Sequence, residues 1–309
     1  MQDTVVKGKE MKRIITVAVS LACLCLSGYG QEAASFPYPT VPDTLRTVEG
    51  RAEYVVTHYW DKFNFGDTVL IRRPEITEQG FANFLDLLPR VDSALAVRGV
   101  KLFVGKAFAG NVPGTVRKYF AEKTDHYLYD IQSPMCNDAL YALFVSSLQH
   151  CPTFDIAERE RYAFRLRNVV KNQPGTVATD FAYTDRKGQR STLLTTPGEY
   201  TVVYFNDPDC ENCHRITEQL RRDSILGGNA KGRITVLAIY PGIDTDEWRR
   251  HSQPFPTWWI DAYSPEGEIE THQLYFLRAN PTIYLLDKDK RVILKDPSPE
   301  KLLKAISSL

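Results

Sequence analysis

Two cysteines two residues apart with a histidine directly behind them, Cys210, Cys213 and His214 in NDPDCENCHR at 206–215, carry the strongest chemical signal in the chain. Three chemistries use that spacing: a dithiol–disulfide redox centre, a c-type haem tether with His214 as axial ligand, or half of a zinc site. Zinc needs a second CxxC or a spaced histidine pair, and neither is present, while Cys136 and Cys151 are too scattered to count as one. No metal site is therefore expected. The motif alone does not exclude haem, but Met135 is the only methionine after residue 30, and a strand-like segment precedes the motif where small cytochromes are helical. A peroxidase would want Pro and Thr at fixed places before a lone cysteine, where Val203 and Asp207 stand.

The segment before the pair, TVVYF at 201–205, reads as a strand, and the stretch after it, carrying Ile216, Leu220 and Ile225, reads as a helix. Cys210 at that helix start meets unpaired N–H groups and the positive end of the helix dipole, and both favour a thiolate. Cys213, one turn further on, is within reach of a disulfide and more sheltered, so Cys210 should attack and Cys213 should resolve. Asp207, Asp209 and Glu211 surround Cys210 with negative charge that opposes the dipole. With Asn212 and His214, Asp209 and Glu211 form the set expected to modulate the pair, although the bland expectation for His214 is a solvent-facing helix residue. A bland reading of the pair itself also stands: a structural disulfide on a binding domain.

Stepping outward, the chain changes rhythm near KNQPGTVATD at 171–180. From 44 to 172 apolar residues recur at helical spacing: Phe81, Phe84, Leu85 and Leu88, then Val116, Tyr119 and Phe120, then Tyr162, Leu166, Val169 and Val170. Five or six helices and no strand are expected there, broken at 72–75, 109–114, 132–137 and 151–155. From 174 onward short apolar strands at 201–205, 233–240, 282–287 and 291–296 alternate with helical stretches at 211–223, 244–251 and 298–309, the last capped by Ser298. The expected fold is an all-α domain at 44–172, after a linker at 31–43, followed by an α/β domain at 173–309.

Strand, acidic turn, CxxC and helix, then RANPTIYLLDKDKRVILKD at 278–296, together resemble a thioredoxin-fold domain of the secreted thiol-disulfide oxidoreductase type over roughly 174–309. The resemblance implies that Pro281 is cis and opens the strand facing the cysteines, so that the backbone of Asn280 pairs with an incoming substrate strand. It also implies that 174–194 forms the hairpin preceding the fold in periplasmic members. The first half resembles a helical domain of unknown function found ahead of such domains. Departures are Glu211-Asn212 in place of Gly-Pro, Asp209 in place of Trp, and Tyr204 where thioredoxins carry a buried carboxylate. The proton acceptor for Cys213 would then be Glu211 or a water.

MKRIITVAVSLACLCLSGYGQ at 11–31 has the basic start, apolar run and small residues of a secretory signal, with Met11 as the start and cleavage near Gly30. Cys23 after Ala22 is the candidate for a lipid anchor, although Ser20 stands where such signals carry an aliphatic residue. The expected location is across the inner membrane, in the periplasm, where disulfides persist. No transmembrane span is expected in the mature chain. Thirty-eight basic against 38 acidic side chains give no field to draw nucleic acid.

Cys136 and Cys151 would flank one helix capped by Asn137, about 22 Å apart at 1.5 Å per residue, too far for a disulfide. Trp258, Trp259 and Tyr263 are read as packing before groove-lining. The function expected is disulfide exchange with protein substrates, as a reductase, with no bound cofactor and with electrons from an upstream dithiol donor. The alternative is a partner-binding protein that uses the helical domain and keeps the thioredoxin fold as a scaffold.

Overall fold

The computed structural model describes residues 35–309 apart from 152, 229–232 and 251–254. The segment read as a secretory signal, with its expected start at Met11 and the candidate anchor Cys23, lies outside the described residues. Residues 37–309 form one compact unit.

Six α-helices build its first half: α1 (Val48–His58), α2 (Thr77–Leu87), α3 (Ser93–Ala107), α4 (Gly114–Thr124), α5 (Asp138–Leu148) and α6 (Ile156–Val169). Side chains cap four of these starts, among them Asn137, which accepts from the Leu140 N–H, and Asp155, which forms a reciprocal capping box with Glu158. Phe81, Phe84, Phe103, Phe120 and Phe144 are fully buried, and the Trp60 ring packs against the first four of them. The expected face of α2 is the core face, but Val170 at the end of α6 is 48% exposed, because α6 ends one residue earlier. A π-helical turn, Asp125–Tyr129, follows α4 directly.

The second half is a seven-stranded sheet: β1 (Ala182–Asp185), β2 (Arg190–Thr192), β3 (Tyr200–Phe205), β4 (Ile234–Tyr240), β5 (Ile260–Tyr263), β6 (Thr282–Leu286) and β7 (Val292–Lys295), in the order β2-β1-β5-β4-β3-β6-β7. β3 lies between parallel β4 and antiparallel β6, paired Val203↔Leu237 and Val203↔Tyr284. Alternate residues of β3 face two different cores. Val203 and Phe205 join Leu237, Tyr275 and Tyr284, while Val202 and Tyr204 join Ile216, Leu220 and Leu302 from α7 (Glu211–Arg221) and α10 (Pro299–Ile306). Burial on both faces is why β3, β4 and β6 read as unbroken apolar runs. Ser298 caps α10 by accepting from the Lys301 N–H at 3.3 Å. Two short helices, α8 (Thr245–Arg250) and α9 (Glu268–Thr271), flank β5.

The sequence pattern missed β5 and α9, and reached β1 and β2 only as the hairpin implied by resemblance. Among the described residues no helix is long and apolar enough to cross a membrane. Cys136 and Cys151 are free thiols on either side of α5.

Candidate active site around the cysteine pair

β3 ends at Phe205, and the turn to α7 is built locally. Asn206 is buried and donates to the carbonyls of Tyr204 and Ile239, and the Asp207 carboxylate accepts from the Asp209 N–H at 2.9 Å. These contacts deliver Cys210 to the N-cap of α7. Its sulfur accepts from the Cys213 N–H at 3.2 Å, so the side chain does the capping that Ser or Asp performs elsewhere. Cys213 is 1% exposed, and both cysteines are free thiols.

Burial first, then the neighbouring Cys210 sulfur and the Asp207 charge, pushes the Cys213 thiol well above its usual range, while a contact with the Asp207 main chain works the other way. Cys213 is thus held neutral. The carboxylate whose charge reaches it is Asp207; Asp209, Glu211 and His214 are exposed. Tyr204 does not replace the missing carboxylate: its buried hydroxyl donates to the Cys213 carbonyl at 2.9 Å and lies 3.0 Å from the Thr217 hydroxyl. Burial raises its own titration well above the normal tyrosine range, so it stays protonated.

Across from the pair, the Asn280-Pro281 bond is cis, as the resemblance implies. The Asn280 carbonyl lies 3.5 Å from the Cys210 sulfur, which donates to it as a thiol, and accepts from Asn212 Nδ2 at 2.9 Å. Arg215 donates to Asn212 Oδ1 at 2.7 Å and so fixes the orientation of that amide. Cys210, Cys213, Asn212, Asn280 and Pro281 therefore converge, while Asp209, Glu211 and His214 lie at the rim. Two contributors escaped the sequence reading: Arg215, whose signal was its place one turn after Asn212, and Asp207 acting on Cys213.

Trp259 is 5% exposed and donates to the Leu226 carbonyl at 2.9 Å, so it is core, while Trp258 packs half-buried against the same core and Tyr263, also half-buried, packs on Trp248 at 4.7 Å. Among the described residues no group of three or more His, Cys, Asp or Glu side chains could hold a metal ion.

A family model described as a domain of unknown function, DUF5106, matches residues 6–172. A thioredoxin-like protein from Bacteroides caccae is 34% identical, with 89% of this chain and 99% of that one covered and a TM-score of 0.79. The C-terminal domain of an uncharacterized protein from Bacteroides fragilis is 40% identical over 45% of this chain and 99% of that one, TM-score 0.43. A domain of a possible thiol-disulfide isomerase from Cytophaga hutchinsonii is 27% identical over 45% of this chain and 94% of that one, TM-score 0.40. No curated protein matches the chain.

Proposed function

We propose, from the premise that this chain belongs to the DUF5106 family and carries a thioredoxin-like domain behind its helical half, that it is a periplasmic thiol-disulfide oxidoreductase working as a reductase on protein disulfides. The observation that carries the reading is the Cys210 sulfur capping α7 and facing the carbonyl of Asn280.

The Cys210 thiolate attacks one sulfur of a substrate disulfide, forming a mixed disulfide and releasing the other substrate sulfur as a thiolate, which takes up a proton. Cys213 then gives its proton to a base, with Asp207 the nearest carboxylate by its effect, and attacks the Cys210 sulfur. The Cys210–Cys213 disulfide forms, the second substrate thiol leaves, and two electrons have passed to the substrate. A dithiol protein restores the pair, and no bound cofactor takes part.

With insulin as a protein disulfide substrate, the wild type should be active and Cys210→Ser inactive, while Cys213→Ser should accumulate a covalent adduct visible by mass spectrometry. Full activity in Cys210→Ser would end the proposal.

A further inference from the structure

The segment between α9 and β6 carries the chain into the Asn280-Pro281 loop, and the helical half grips it along its length. Lys171 donates to the Gln273 carbonyl at 2.5 Å, Asn172 Nδ2 donates to the Leu274 carbonyl at 3.0 Å, and the Tyr129 ring lies against Phe276 at 6.2 Å. Arg278 closes the grip. One arm of its guanidinium donates to the Tyr129 carbonyl at 2.8 Å, and the other meets the Asp138 carboxylate at 3.0 Å. Asp138 also pairs with Lys295 at 2.7 Å, and Lys295 donates to the carbonyls of Val169 and Lys171 at 2.7 and 2.9 Å. Asp296 stands at the edge of the group, 3.9 Å from Arg278. The three central side chains are 9% (Asp138), 10% (Arg278) and 5% (Lys295) exposed.

Buried charges contribute little net stability compared with apolar residues of the same size, but a misplaced partner leaves the others uncompensated. Such a cluster penalises every position of Arg278 except the paired one. Two residues on, the Asn280 carbonyl must be placed to face both the Cys210 sulfur and the substrate chain. We propose that the helical half is a clamp for the substrate-docking loop, with Asp138 and Arg278 as positioning residues that fix Asn280 and Pro281 from behind. This rests on the oxidoreductase reading and gives the helical half a part in it: a polypeptide substrate, which docks on the loop, depends on the clamp, and a small disulfide that needs only Cys210 does not.

The test uses the full chain with Asp138→Asn, and with Arg278→Lys as a milder variant that keeps the charge but loses the two-armed contact. Reduction of insulin and of a small aromatic disulfide is measured alongside the reduction potential of the cysteine pair. The clamp predicts a KM for insulin raised about ten-fold, the scale of one weakened docking hydrogen bond, with kcat, the small-disulfide rate and the potential unmoved. Parallel losses on both substrates, a shifted potential, or an unchanged insulin KM in a folded variant would overturn it. Should the wild type reduce neither substrate, the oxidoreductase reading fails. The clamp is then decided by amide hydrogen exchange: protection across 278–286 should fall in both variants while β3 and β4 keep theirs, and equal protection would refute the clamp.

Discussion

Asp296 sits where pH should switch stability. Burial, the largest influence, raises its carboxyl from 3.8 to about 6 against the opposing pull of Arg278, with Asp138 adding to the rise and Lys295 and an Ile283 main-chain contact reducing it. A rise from 3.8 to about 6 amounts to about 3 kcal/mol at 1.36 kcal/mol per pKa unit. Because the folded value is the higher one, the native state holds the proton longer. The stability linked to it is fully present below about pH 4 and is lost as pH rises through about 6. Asp296→Asn removes the titration while keeping the shape. Its backbone sits at φ 47°, a left-handed conformation that Asn tolerates at least as well as Asp. In urea unfolding followed by tryptophan fluorescence, the variant's advantage should grow between about pH 4 and pH 6.5 and level off near 2–3 kcal/mol. A difference that does not change with pH, or a variant less stable than wild type at neutral pH, would show that the attraction of Arg278 and Lys295 outweighs burial and would refute this reasoning.

Other expectations follow from single contacts. Tyr204→Phe strips the buried hydroxyl from the Cys213 carbonyl and Thr217, and should cost about 1–3 kcal/mol in urea unfolding. Gly198 has φ 130°, and a Cβ there would lie 2.7 Å from the Thr235 hydroxyl, so Gly198→Ala should lower the thermal midpoint. Iodoacetamide on the native, reduced protein should label Cys210 first and the half-buried Cys136, whose thiol burial pushes up, more slowly. Cys151 and Cys213 should react only on unfolding, as peptide mass mapping would show.

Legibility in the sequence followed the range of the forces. β3, β4 and β6 announced themselves because both of their faces are buried, and α5 and α10 because Asn137 and Ser298 cap them with local hydrogen bonds. Cys210 could be placed at a helix start for the same local reason. β5 was hidden: it is four residues long and carries Asp261, whose carboxylate is held by Arg186 and by Trp248 at 3.0 Å, partners far away in sequence. The clamp was hidden for the same cause, since Asp138 and Arg278 stand 140 residues apart and neither falls in a periodic pattern. The acidic residues around Cys210 were read as equals, yet Asp209 and Glu211 are exposed to solvent while Asp207 lies against Cys213, a distinction only the turn geometry makes.

The most direct test of the account is the reduction potential of the Cys210–Cys213 pair, measured by equilibrating the protein in thiol–disulfide buffers and quantifying the oxidised fraction. A reversible two-electron transition near about −270 mV is the result predicted for a reductase. A pair that stays oxidised well below about −300 mV would behave as a structural bridge and contradict it.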